Sequence, residues 1–223
     1  IQKSNGTYGS SYETFSAAVS AASAGDTIWL LKNDTASQKV VISKSLNIEL
    51  QGYALKSTSI EISGSSTNVV INDRVGTGSI NANHYTGFST AHYRCVATLH
   101  VTNGATLIVN GVTGTDSTNG TIIYDCASDD LEKAVFVDGN SKLTINGGTF
   151  VASDGAGCDS LFVYDGTVTI NDGYFYRAIS YMTAPTDAKP LIIKKCTIDG
   201  GSGNAMWIEK SGSLNGVSFS SGY

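Results

Sequence analysis

The chain has 223 residues, a formal net charge of −5 and 15% charged side chains, with 25 Gly and 2 Pro. Low charge with many short polar residues is typical of exposed strands and tight turns, and so few prolines argue against a disordered linker. The longest basic run is Lys194 and Lys195, and no apolar run approaches the roughly 20 residues that cross a bilayer. We therefore expect no nucleic-acid partner and no membrane insertion.

An amphipathic helix is predicted first, over residues 10–24. Ser10 and Glu13 have the spacing of a capping box. The apolar residues that follow the box fall on one helical face, namely Tyr12, Phe15, Val19 and Ala22, and Gly25 supplies the stop. Because the first coil of a solenoid would otherwise expose apolar ends, we interpret this helix as a cap.

A repeated phrase defines the rest of the chain. From Thr27 onward, short strands at period two alternate with turn residues, and the phrase apolar-x-apolar-Asn-Gly-x-Thr-aromatic recurs. Its last residue, taken as a marker, falls at 55, 76, 114, 150, 175, 198 and 219, in steps of 21, 38, 36, 25, 23 and 21 residues. The shorter steps suit coils of three strands. Because crossovers between parallel strands are overwhelmingly right-handed, we predict an all-β fold, a single right-handed parallel β-helix.

This β-helix is expected to form one domain over residues 1–223, with about seven coils of 21–25 residues between 27 and 223. Stacking of the coils predicts an internal apolar column of Phe150, Phe175, Ile198 and Phe219. It also predicts that Asn110, Asn146 and Asn171 line up at one corner. Asn tolerates left-handed geometry and bonds neighbouring backbone, so we assign these residues a structural role.

Several motifs resemble those of the pectate-lyase-like β-helix modules of bacterial surface and secreted proteins. The resemblance covers most of the chain and rests on the opening segment from Thr14 to Leu55, with its Gly25-Asp-Thr-Ile and Leu46-Asn-Ile-Glu-Leu-Gln-Gly runs, and on Thr144-Ile-Asn-Gly-Gly-Thr-Phe and Thr169-Ile-Asn-Asp-Gly-Tyr-Phe. It implies a secreted or cell-surface adhesin or polysaccharide-associated module. The matching residues build coils, so the resemblance speaks to fold more than to function.

Two consecutive long steps predict loop insertions near 77–98 and 115–134. In solenoids, insertions gather on one face, which is often the binding face. An exposed platform there would suit a sugar, because aromatic faces stack on pyranose rings and polar neighbours orient hydroxyls. The candidate ligand-binding residues are Tyr85, Phe88, His92, Tyr93, Arg94, Tyr124 and Asp129. Alternatively, the aromatic residues pack the insertions against the coils.

The four cysteines have no zinc-site spacing. They allow two disulfides or four buried thiols, and Cys95 with Cys126, in comparable places of neighbouring coils, is a possible disulfide. We predict no metal or cofactor, although the acidic cluster from Asp125 to Glu132 could bind Ca²⁺. The sequence contains few candidate catalytic residues: it has three arginines and scattered carboxylates, and no hydrolase or phosphate-binding motif occurs.

These features favour a non-catalytic extracellular module that binds polysaccharide or glycoprotein glycans with its loop face. A polysaccharide lyase or glycoside hydrolase is the alternative, and a structural spacer is a further one. The start at Ile1, without Met or a signal sequence, favours a mature or excised piece. We expect further domains in a longer chain.

Overall fold

The structure is a computed structural model that describes residues 1–57, 59–82, 96–124, 132–153, 158–182, 188–201, 204–208 and 217–219. One helix, α1, spans Phe15–Ala21. The strands of the first four coils are β1 (Thr27–Trp29), β2 (Asp34–Thr35), β3 (Val40–Ile42), β4 (Leu46–Glu49), β5 (Ala54–Ser57), β6 (Ile60–Ser63), β7 (Asn68–Asn72), β8 (Ser79–Ala82), β9 (Val96–Thr102), β10 (Thr106–Asn110), β11 (Ile122–Tyr124) and β12 (Glu132–Val137). The remaining strands are β13 (Ser141–Gly147), β14 (Thr149–Val151), β15 (Asp159–Val163), β16 (Gly166–Ile170), β17 (Tyr174–Tyr176), β18 (Ala178–Tyr181), β19 (Leu191–Ile193), β20 (Thr197–Asp199), β21 (Met206–Ile208) and β22 (Val217–Phe219).

Every third strand belongs to the same sheet. The first sheet has eight strands, from β1 through β4 to β22, and the second has seven, from β2 through β5 to β20. The third also has seven, from β3 through β6 to β21. All pairs of these strands are parallel, as in β1 with β4, β2 with β5 and β3 with β6. The chain is therefore a parallel β-helix with an N-terminal helix, as predicted.

Columns of inward side chains form the core. In the second sheet the register aligns six apolar residues, one per coil: Leu55, Ile80, Ile123, Phe150, Phe175 and Ile198. The rings of Phe150 and Phe175 stack with centroids 4.9 Å apart and planes at 12°, and both are fully buried. This confirms the predicted stacking of Phe150, Phe175 and Ile198.

The prediction that Phe219 ends this column is wrong. β22 pairs with β19 in the first sheet, where Phe219 lies beside Ile193. The markers at 76 and 114 are also wrong, because Ile80 and Ile123 occupy those positions in the column. In the third and fourth coils, extra residues lie between the repeated phrase and the strand of the second sheet. The last residue of the phrase therefore precedes the buried position in that strand.

Asparagines form a hydrogen-bonded ladder along one corner. The side-chain amide of Asn110 donates to Asn72 Oδ1 at 2.9 Å, that of Asn146 to Asn110 Oδ1 at 2.7 Å, and that of Asn171 to Asn146 Oδ1 at 2.6 Å. The predicted alignment of Asn110, Asn146 and Asn171 is confirmed, and Asn72 adds a rung. The asparagines of successive rungs are 38, 36 and 25 residues apart in the sequence. The two larger separations are the lengths of the two long coils.

The capping helix is shorter than the predicted range 10–24. Thr14 is the N-cap and its hydroxyl accepts from Ala17 N–H at 3.2 Å, so the predicted capping box of Ser10 and Glu13 is wrong. Glu13 instead pairs with Lys32 at 3.0 Å. The box fails because Asp34 of β2 accepts the Phe15 N–H at 2.6 Å, which fixes the start of the helix from outside.

Packing holds the helix over the first coil. Phe15, Val19 and Ala22 are buried, as predicted, whereas Tyr12 lies before the helix and is exposed. At the other end, the Lys44 ammonium donates to the carbonyls of Ser20 and Ala22 at 3.2 and 2.8 Å. Cations favour helix C-termini, so α1 is fastened at both ends. In the part of the chain that the structure describes, no helix has the length and apolarity to span a membrane.

Candidate functional site

The third coil is long between the second and third sheets, whereas the fourth coil is long mainly between the first and second sheets, from Asn110 to Ile122. β8 and β9 belong to the second and third sheets, and the chain between them runs from Ala82 to Val96. In the next coil the corresponding stretch runs from Tyr124 to Glu132, and in the following one from Val151 to Asp159. Because β8, β11 and β14 are neighbours, and so are β9, β12 and β15, these connections leave and rejoin the coils one above another. We call this place the insertion corner.

Most of the predicted site residues lie outside the described residues. In the first connection these are Tyr85, Phe88, His92, Tyr93, Arg94 and Cys95, and in the second they are Cys126 and Asp129. Tyr124 belongs to β11, where its backbone pairs with Asn81 and Val151. The glycan platform, the Cys95 to Cys126 disulfide and the Ca²⁺ cluster therefore stay predictions.

A buried ion pair lies where the chain rejoins the third sheet. Lys133 of β12 is the register partner of Ala97 in β9 and of Asp159 in β15. Its ammonium contacts Asp159 Oδ2 at 2.6 Å, and the two side chains are only 3% and 10% exposed. Ser180 donates to the other oxygen, Oδ1, at 2.7 Å. Since a buried charge without a partner costs several kcal/mol, this geometry fixes the strands beside the insertion corner to one another.

Aromatic side chains lie beside this ion pair on the outer face of the third sheet. Phe136 and Phe162 form a cluster with Ala97 that is separate from the main core. Alternating strand geometry explains the separation, because the neighbours Val135 and Val137 point inward. The two Phe rings are 5.5 Å apart, and the Lys133 ammonium lies 5.0 Å from the Phe162 centroid. The outer face of the third sheet is thus apolar beside the insertion corner.

His100 ends the aromatic row between two carboxylates. Its ring stacks on Phe136 at 4.8 Å and 16°. Nε2 lies 3.2 Å from Asp138 Oδ1, and Nδ1 lies 3.9 Å from Glu61 Oε2. Burial alone would raise the pKa of Asp138, but His100 and Thr102 act in the opposite direction, and the pKa lies below its usual value. The carboxylate form of Asp138 is therefore favoured.

This surface was not predicted from the sequence. In the sequence, Lys133 and Asp159 look like polar residues near loops. Their contact becomes visible only when β12 is aligned with β15, and the irregular connections before these strands hide that register. A weak signal existed in the strand 132–137, because Phe136 occupies a position where alternation predicts a polar side chain.

Metal and thiol chemistry receive little support from the described residues. They include no group of three or more His, Cys, Asp or Glu side chains that could hold a metal ion. Among the described residues, Cys196 is a free thiol, and the buried Cys158 accepts a hydrogen bond from the Ser153 hydroxyl at 3.2 Å. Burial, and secondarily Asp172, raises the pKa of the Cys196 thiol to about 11, so this thiol stays protonated and weakly nucleophilic at neutral pH.

Comparison with known proteins gave no significant match to this chain among family models, curated proteins or solved structures.

Proposed function

We propose that this chain is a non-catalytic extracellular module of the pectate-lyase-like kind, which binds a polysaccharide or glycoprotein glycan at the insertion corner. One observation carries the proposal. The long connection from Ala82 to Val96 leaves the second sheet and returns to the third at the same corner as the shorter connections of the next two coils, and insertions gathered on one face of a solenoid commonly form its binding surface.

The chemistry of the connections supports a sugar ligand. The first contributes three aromatic residues, Tyr85, Phe88 and Tyr93, together with His92 and Arg94. Aromatic rings can stack on the apolar faces of pyranose rings, while imidazole and guanidinium groups donate hydrogen bonds to hydroxyl or carboxylate oxygens. Asp129 and Tyr124 add an acceptor and a phenol from the fourth coil.

The described residues beside the insertion corner have the features of a rigid support for such a surface. The Lys133 and Asp159 pair crosslinks adjacent strands at 2.6 Å, and the buried side chains of Phe136 and Phe162 pack together beside it. A binding site gains affinity when its supporting residues are held before the ligand arrives, because less conformational entropy is lost on binding. Loops anchored on this face would start from such a fixed base.

A glycan array tests the proposal with a pair of variants. Replacing both Tyr85 and Tyr93 with Ala should abolish binding to the glycans that the unaltered chain retains, while the melting temperature changes little. Tyr53→Ala is the matched control, because Tyr53 is partly exposed and belongs to the second coil. A sharp fall in melting temperature for the double variant would make those rings packing residues.

Two other outcomes would contradict the proposal. Retention of no glycan by the unaltered chain would favour a structural spacer. Release of oligosaccharide products from a polysaccharide panel would favour a lyase or hydrolase, and it would show that the corner performs chemistry rather than binding alone.

A further inference from the structure

Two pairs of a lysine and a carboxylate join neighbouring coils at the third sheet, and they differ in their exposure to water. Lys39 contacts Glu61 at 2.7 Å, and the side chains are 46% and 19% exposed. Lys133 contacts Asp159 at 2.6 Å, and the side chains are 3% and 10% exposed. The first pair has the exposure of an ordinary surface ion pair. The second holds an amine group and a carboxyl group in contact where little solvent reaches them, so the two groups can react with each other.

The register of the third sheet holds the buried pair in place. Lys133 and Asp159 are register partners in β12 and β15. On the far side of Lys133 the next register position is Ala97 of β9, and on the far side of Asp159 it is Ala178 of β18. Neither alanine side chain can draw the ammonium or the carboxylate away. The backbone pairing of two adjacent strands therefore keeps the two groups together.

Both oxygens of the Asp159 carboxyl group are engaged. Lys133 Nζ lies 2.6 Å from Oδ2, and the buried Ser180 hydroxyl donates to Oδ1 at 2.7 Å. Because Oδ2 is bonded to Cγ, a small rotation of the Lys133 side chain brings Nζ to the distance of about 3–3.5 Å from which a nucleophile attacks. A hydroxyl that donates to a carbonyl oxygen stabilises the negative charge that such an attack creates.

We infer that Lys133 and Asp159 form an intramolecular amide bond between Nζ and Cγ, which joins β12 to β15 covalently beside the insertion corner. The contact described above is the arrangement from which the bond forms. The inference does not depend on glycan binding at the insertion corner.

The reaction is a condensation that needs no further reagent. One proton passes from the Lys133 ammonium to Asp159 Oδ2 and leaves an amine and a carboxylic acid, and surroundings of low dielectric constant favour such neutral forms. The nitrogen lone pair then forms the bond to Cγ, while the π electrons of the carbonyl move to Oδ1, where Ser180 donates. When the carbonyl forms again, the bond from Cγ to Oδ2 breaks. Oδ2 leaves as water with its proton and a second proton from the nitrogen, so the ammonium and the carboxylate become one amide and one water molecule.

Mass spectrometry of the denatured and reduced chain tests the inference. We expect the intact mass to lie one water molecule below the mass calculated from the sequence. A tryptic digest should contain a branched peptide that joins the segment with Lys133 to the segment with Asp159, and trypsin should not cleave after Lys133, because an acylated lysine has lost its charge. A chain with the full calculated mass, or cleavage after Lys133, would overturn the inference.

A pair of variants locates the bond. Lys133→Arg keeps a cation beside Asp159 but lacks the amine, so this variant should have the full calculated mass. Lys39→Arg is the matched control, since it changes the exposed pair, and it should still lose one water molecule. A loss of water that persists in Lys133→Arg would come from another reaction, such as succinimide formation at Asp165 and Gly166, and would overturn the inference. The branched peptide is sought in the unaltered chain, so this result stands even if Lys133→Arg folds poorly.

A third variant tests the part that Ser180 plays. The intact mass is followed with time after cell-free synthesis of the chain. Ser180→Ala should slow the loss of water about a hundredfold, because one donor to the developing negative charge is removed. Ser180→Thr keeps a hydroxyl and should restore most of the rate. Equal rates for Ser180→Ala and the unaltered chain would overturn the role given to Ser180.

Discussion

Asp26 illustrates how one buried carboxylate can hold several parts of the chain together. Its Oδ2 accepts from the Lys3 ammonium at 2.8 Å and from Ser23 N–H at 2.9 Å, and Oδ1 accepts from Ser4 N–H at 3.1 Å. The bond to Lys3 leads the causes that place the pKa of Asp26 below its ordinary value of 3.8. Asp26 therefore joins the N-terminal segment to the residues between α1 and β1.

A pH dependence of stability follows from this shift. Because the folded pKa is depressed, the contribution of Asp26 is fully present above about pH 4 and is lost as the pH falls through the folded value. Asp26→Asn should lower the free energy of unfolding at pH 7 by about 1–3 kcal/mol and flatten its decline at acidic pH. Urea titrations between pH 2 and 7 measure both effects. Glu13→Gln, which changes an exposed side chain, should reproduce the unaltered curve; an equal decline for Asp26→Asn and the unaltered chain would contradict this role.

Some residue-level roles could be predicted from the sequence and others could not. The asparagine ladder could be predicted because Asn110, Asn146 and Asn171 occupy the same position in the repeated phrase, so their alignment depends only on the repeat. The contact between Lys133 and Asp159 could not be predicted, because no repeated phrase contains these residues. Their contact depends on the register of β12 against β15, which the irregular connections before these strands conceal.

The second-sheet column is the element whose packing can be tested most simply. Phe175 is fully buried and stacks on Phe150 at 4.9 Å. Phe175→Ala removes that ring and leaves a cavity between coils, which should cost roughly 3–5 kcal/mol of stability. Chemical denaturation measures the loss. Val75→Ala changes an exposed residue and should cost little; equal effects of the two substitutions would refute the coil register.

The ion pair beside the insertion corner gives a second test at the scale of strands. Lys133→Met would leave the Asp159 carboxylate buried without its cation, which should cost about 3–5 kcal/mol. Adding Asp159→Leu should recover much of that loss, because the second change removes the unpaired charge. Chemical denaturation of the two single variants and the double variant measures this coupling. Additive losses would mean that Lys133 and Asp159 act independently.

At the level of elements, helix boundaries were the least predictable feature. The capping-box pattern of Ser10 and Glu13 is a local signal, but the helix begins at Phe15 because Asp34, a residue of β2, accepts its N–H. The misplaced Phe219 has a similar origin. Its phrase resembles the others locally, whereas its sheet is decided by pairing with β19.

For the whole molecule, stacking of coils explains both the regular and the irregular parts. Each coil buries its apolar residues against the coils before and after it, so the fold tolerates long connections at a corner as long as the strands keep their columns. The number of coils and the parallel sheets were predictable from the repeat, and the N-terminal helix was predictable from its amphipathic spacing. The proposed ligand surface could be predicted only as a location, because connections that leave the repeat carry no periodic signal.

Hydrogen exchange with and without a glycan captured on the array tests the functional account most directly. We predict that saturating glycan slows exchange in peptides that span the connections from Ala82 to Val96 and from Tyr124 to Glu132, because ligand contacts and ordering reduce local opening. Peptides from β1 should exchange at unchanged rates. Slowed exchange confined to β1, or to faces remote from the insertion corner, would contradict the account.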